Sequence, residues 1–189
     1  MPDERIALFP LKTVLFPGGL LPLRIFEARY LDMVGRCLKG EQKFGVLMIV
    51  EGSEVGRART ANVGTLADIV DWHQQPDGLL GIVVAGRERF RLIETSIQDD
   101  GLYVGRVEVL PEAPRSALPP RHAHLAKLLR QVLARLGIQR RGDEDFDDAS
   151  WVGYRLAEVL PLSLEDRQAC LEMDDPIARL DRLGASLNG

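Results

Sequence analysis

Three groups of residues have the types and spacing to do chemistry. In "GRERFR", Arg87, Arg89 and Arg91 recur at alternate positions, which on a strand would set three guanidinium groups on one face, a row able to meet phosphates. In "DEDFDD", Asp143, Asp145 and Asp147 match the first three ligand positions of a calcium loop. The third group is Cys37, Cys170, His73, His122 and His124, the side chains that bind transition metals or attack carbonyls.

Each group fails a stricter requirement. The arginine row has Glu51, Glu54 and Glu94 within the same half of the chain as acidic partners, so a paired or solvated face explains it. A calcium loop needs glycine at its sixth position and glutamate at its twelfth, where this chain has Asp148 and Tyr154. The cysteines lie far apart, there is no CxxC or HExxH, and His122 and His124 would point to different sides of a helix. Neither a phosphate-cradling glycine loop nor a GxSxG is present. No catalytic residue, cofactor or metal site is expected.

The elements that would position any site divide into two kinds. Up to about residue 110 the chain reads as strands and turns. "IALF" is a short strand, and "PGG" at Pro17–Gly19 is a tight corner. "LLPLRIF" is extended, with Leu21, Leu23 and Ile25 on one face and Pro22 marking an edge strand. Phe26, Tyr30, Met33, Val34, Cys37 and Leu38 have helical spacing, ended by Gly40, with Cys37 as an inert apolar-stripe residue. "KFGVLMIV" is a central strand, and two hairpins follow, turning at Pro76-Asp77-Gly78 and Asp99-Asp100-Gly101.

After the proline-rich "PEAPRSALPP" the pattern is helical. Leu125, Leu128, Leu129, Val132, Leu133 and Leu136 form a stripe ending at Gly137. "QRRGDEDFDDAS" is a loop, Ser163–Asp166 has capping-box spacing, and Asp175-Pro176 begins a last helix facing Ile177, Leu180, Leu183 and Leu187 inward. The expectation is an α+β protein in two parts: a strand-rich subdomain with one helix, residues 1–112, and a helical bundle, residues 113–189.

Charge narrows the partners. The first part carries 13 Lys/Arg against 16 Asp/Glu and the second 11 against 12, so neither is a basic surface for nucleic acid or an anionic membrane. The longest apolar run, Phe44–Val50, is far short of a bilayer span. "MPDERIALFP" has acids where a secretory signal needs bases, and two cysteines make no disulfide framework. A cytoplasmic protein is expected.

"FPLKTVLFPGGLLPLRIFEARYLDMV" resembles the N-terminal signature of the Lon substrate-binding domain family. The resemblance continues through "FGVLMIV", "VGTLADIVDWHQQPDGLLGIVVAGRERFRLIE" and "GLYVGRVEVLPE" to "LPLSLEDRQACLEMDDPIARLDRL". It implies a PUA-like antiparallel β-pseudobarrel followed by a C-terminal helical bundle, with "RIFEARYLDMV" the helix that plugs the barrel. The chain shows neither a Walker motif nor a protease domain, so the resemblance implies the substrate-engaging part alone: a non-enzymatic module for unfolded or flexible polypeptide, which a separate protease could then receive. Leu20, Pro22, Trp72 and Leu79, beside edges and turns, are the candidate contact residues. Two alternatives remain: RNA binding through Arg87, Arg89 and Arg91, by analogy with other PUA-like barrels, and a small-molecule enzyme with an unrecognised site.

Overall fold

The computed structural model describes residues 4–112, 115–138 and 144–187. Two compact units partition the chain, Met1–Glu112 and Ala113–Gly189. Asp143 lies outside the described residues.

The first unit holds one seven-stranded sheet: β1 (Glu4–Leu11), β2 (Leu20–Ile25), β3 (Phe44–Gly52), β4 (Ala58–Thr60), β5 (Val63–Gln74), β6 (Leu80–Ile97) and β7 (Tyr103–Val109). Helix α1 (Ala28–Leu38) connects β2 to β3. The strands run β1-β7-β6-β5-β3, and β3 then pairs in parallel with β1 through Ala7↔Phe44 to Leu11↔Met48, so five strands close into a ring. The other pairings are antiparallel. Closure is what protects such a small sheet from open edges. Among the described strands, β2, on β6, and β4, on β3, hang outside the ring.

Burial on both faces of β1 follows from closure. Ala7, Phe9 and Leu11 join a cluster with Tyr30, Met33 and Val34 of α1 and with Phe44, Val46, Ile82 and Val84. Ile6 and Leu8 join a second cluster around Phe90, with Leu47, Leu66 and Val107. Phe90 fits because Gly45 and Gly64 lie under its ring: a Cβ there would stand 2.3 Å and 2.7 Å from it.

Two expectations change. The segment read as parts of two hairpins is one 18-residue strand, β6, shared by β5 and β7. It stays continuous through Gly86 because a bulge absorbs the irregularity: Thr65↔Arg89 is followed by Ala67↔Gly86, leaving Arg87 and Glu88 opposite Leu66. The expected helical stripe also shifts. Phe26 precedes α1 and is 57% exposed, and Leu38 is 51% exposed, so the buried face is Tyr30, Met33 and Val34, with Cys37 half-buried.

The second unit contains helices α2 (Ala123–Arg135), α3 (Ala149–Val159), α4 (Leu164–Glu172) and α5 (Pro176–Ser186). The starts of α3, α4 and α5 are set by side chains. Asp148 accepts from the Ser150 and Trp151 N–H groups, Ser163 Oγ from Asp166, and Asp175 from Ile177 just before Pro176. Leu125, Leu129, Val152, Leu156, Leu180 and Leu183 are buried. The α2 stripe fades at its end, where Leu136 is 60% exposed. Arg179 is fully buried, its guanidinium 4.0 Å from the centre of the Tyr154 ring, with Nε donating to the Cys170 carbonyl at 2.8 Å.

Candidate functional site

Strand pairing leaves a gap between β1 and β2. β7 covers β1 only from Glu4 to Leu8, so Phe9–Leu11 pair with β3 alone, and β2 pairs with β6 alone. Between these two uncovered edges lies a groove of about 360 Å³. Phe9, Leu11, Leu21, Leu23, Phe26 and Tyr30 line it, with Pro10 and Pro22 on the two strands and Lys12, Arg24, Glu27 and Glu54 around them.

The first turn of α1 shapes the wall. Tyr30 packs edge-on against Phe9, ring centres 4.0 Å apart, and Arg29 lies 4.7 Å over the Tyr30 ring. Arg29 ties three segments together: Nε to Glu27 at 2.9 Å, Nη1 to the Gly101 carbonyl at 2.7 Å and Nη2 to the Glu54 carbonyl at 3.3 Å. Burial pushes the Tyr30 phenol up to about 12 against the opposing charge of Arg29.

Backbone chemistry at the rims is one-sided. Proline has no N–H, so Pro10 and Pro22 present carbonyls without donors. The Lys12 N–H is already given to Glu54 Oε1 at 2.8 Å. A strand added along these edges would therefore find no backbone donor at residues 10, 12 and 22.

Of the sequence-derived contact residues, only Pro22 lines this groove. Leu20 is 40% exposed on β2 opposite Ala85, and Trp72 is 62% exposed on β5 opposite Ile82. Leu79 is half-buried beside the β5–β6 turn, its N–H held by Asp77. The structure does not bring the four together. Phe26 was missed because its spacing fits the helical stripe. The usable signal was Pro10 and Pro22, each marking a strand edge that cannot pair fully.

The arginine row is not a row. The bulge turns Arg87 out of step with Arg89, which is 4% exposed, and Arg87 and Arg91 pair with Asp68 at 2.7 Å and Glu108 at 3.1 Å. These partners differ from the expected acids: Glu51 pairs with Arg59 and Glu94 with Arg106. Burial raises both thiols, Cys37 to about 11. Among the described residues there is no group of three or more His, Cys, Asp or Glu able to hold a metal, and no helix long and apolar enough to cross a membrane.

The protein is thus a mixed α+β chain in which a closed ring of strands carries an apolar groove between β1 and β2. It belongs to the ATP-dependent protease La (LON) substrate-binding domain family, whose model matches residues 5–189. A crystal structure of a Lon N-terminal domain protein from Xanthomonas campestris is similar with a TM-score of 0.82 and 38% identity, covering 96% of this chain and 98% of that one. Protein cereblon of Xenopus tropicalis is 33% identical over 113 residues, 58% of this chain and 24% of cereblon. Lon protease of Phenylobacterium zucineum is 27% identical over 197 residues, 99% of this chain and 25% of the protease. The chain spans about a quarter of the length of these curated relatives.

Proposed function

We propose that this protein is a non-enzymatic module that binds unfolded or flexible polypeptide, its first unit a PUA-like pseudobarrel and the β1–β2 groove its grip. The observation that carries this reading is the groove's apolar floor beside a large aromatic, Phe26, that remains more than half exposed. Membership of a substrate-binding domain family supports it. Burying one large apolar side chain of a client contributes about 1.5–3 kcal/mol. With few rim donors to add to this, single-site affinity is weak and tolerant of sequence, as suits a protein that meets many clients. Delivery of bound chains to a separate protease is the natural extension.

The test is fluorescence anisotropy with a labelled, permanently unfolded model polypeptide. Phe26→Ser should weaken binding about tenfold or more, the loss of one buried aromatic anchor, with an unchanged melting temperature because Phe26 is outside the core. Wild-type binding that Phe26→Ser leaves intact would move the site elsewhere. No binding to any unfolded chain would end the reading.

RNA binding through Arg87, Arg89 and Arg91 is the second reading; Arg87 and Arg91 face Asp68 and Glu108, and Arg89 is buried. The salt dependence of the same titration checks it, because phosphate contacts would make affinity fall steeply with salt.

A further inference from the structure

Helix α1 buries Tyr30, Met33 and Val34 and turns Leu31 and Leu38 outward, 42% and 51% exposed. Residues 31, 35 and 38 fall on one stripe of the helix. Between the two leucines stands Gly35, where a Cβ would meet nothing within 4 Å. Its backbone is ordinary helix, with no positive φ. Glycine inside a helix is a destabilising choice relative to alanine. Nothing among the described residues uses the space it opens. The apolar seam continues onto β5, where Leu38 and Val70 line one depression and Val70 is 50% exposed.

The charges beside the seam indicate what covers it. Asp32 and Lys39 are exposed, seven residues apart and therefore on the same side of the stripe. Neither has an ion-pair partner among the described residues. Laid antiparallel on a second copy, with the two helices crossing at Gly35, Leu31 meets Leu38 of the second copy and Asp32 meets its Lys39. The two-fold axis repeats both contacts. A parallel pair would instead set the two charges on opposite sides of the seam, where they could not meet. The sequence of the stripe is therefore self-complementary in one direction only, which is what an isologous interface requires.

We propose that α1 is a self-association face, through which two copies of this chain pair as antiparallel helices across Leu31, Gly35 and Leu38, locked by reciprocal Asp32–Lys39 contacts. A helix of three turns with one flanking residue is smaller than a standard interface, so the dimer is weak and concentration-dependent. Sedimentation velocity on the full chain, from about 1 µM to about 1 mM at low salt, should show monomer giving way to dimer. Asp32→Lys and Lys39→Asp should each raise the dissociation constant about tenfold or more by facing like charges, and the double variant should restore it. Gly35→Leu should abolish the dimer by filling the crossing while leaving the monomer folded, because leucine favours the helix and meets open space. A wild type that stays monomeric throughout overturns the proposal, including the case in which the seam receives another protein's helix. So does a double charge reversal that fails to rescue its single variants, or a dimer indifferent to Gly35→Leu.

Discussion

Arg179 shows how one side chain can organise a small helical unit. It has no exposed surface, yet its guanidinium is accommodated by the Tyr154 ring and hydroxyl and by the Cys170 and Met173 carbonyls. Gly153 gives it room, since a Cβ there would stand 3.1 Å from the arginine Cδ. Replacing it with leucine removes the charge-assisted bonds to the Cys170 and Met173 carbonyls and the Tyr154 hydroxyl, so Arg179→Leu should cost the second unit about 3 kcal/mol or more. Urea unfolding followed at Trp151 in a Trp72→Phe background measures this, and a loss below about 1 kcal/mol would show the arginine to be incidental. Nothing in "DDPIARLDRL" distinguishes Arg179 from the exposed Arg182. Only the packing of α3 and α4 around it makes the difference, which is why sequence reading passed over it. The caps at Ser163 and Asp175 were legible for the opposite reason: each acts within three residues of itself, a distance that sequence contains.

Among the elements, β6 does the most. It pairs with β5 along one edge, and along the other passes from β2, which ends at Ala85, to β7, which begins at Phe90, with the "PGG" corner closing against Gly86 between them. The Gly18 N–H donates to the Gly86 carbonyl and the Gly86 N–H to Gly19, both at 2.9 Å. A Cβ on Gly86 would stand 2.1 Å from the Phe16 carbonyl oxygen, a clash with backbone that no side-chain rotation relieves. Gly86→Ala should therefore destabilise the first unit by about 2–3 kcal/mol. Thermal unfolding followed at Trp72 checks it, and an unchanged midpoint would mean that the corner moves freely. Strand alternation made most of these elements readable in advance. Two features were not: the bulge that separates Arg87 from Arg89, and the parallel β1–β3 pairing that closes the ring. Both are matters of register between segments distant in the chain, and an apolar pattern identifies a strand without naming its neighbour. The groove was hidden with them, because it exists only where β7 stops short of Phe9 and β2 lies off the ring.

At the scale of the whole molecule, alkaline stability tests whether α1 is as firmly seated as its geometry requires. Burial raises the Tyr30 phenol from its usual 10.0 to about 12 and the Cys37 thiol from 9.0 to about 11, with Arg29 and Arg36 only partly opposing it. Both groups keep their protons longer folded than unfolded, so their contribution is complete below about pH 9 and is lost as pH rises through about 11 and then about 12. The urea midpoint should accordingly fall across this range, without a slope from these groups at lower pH. Tyr30→Phe and Cys37→Ala together should flatten that fall, since each removes the proton while keeping an apolar side chain in place. If the slope above pH 9 is the same in the double variant as in wild type, the α1 face is solvated in solution and the groove wall that Tyr30 builds is looser than its packing against Phe9 requires.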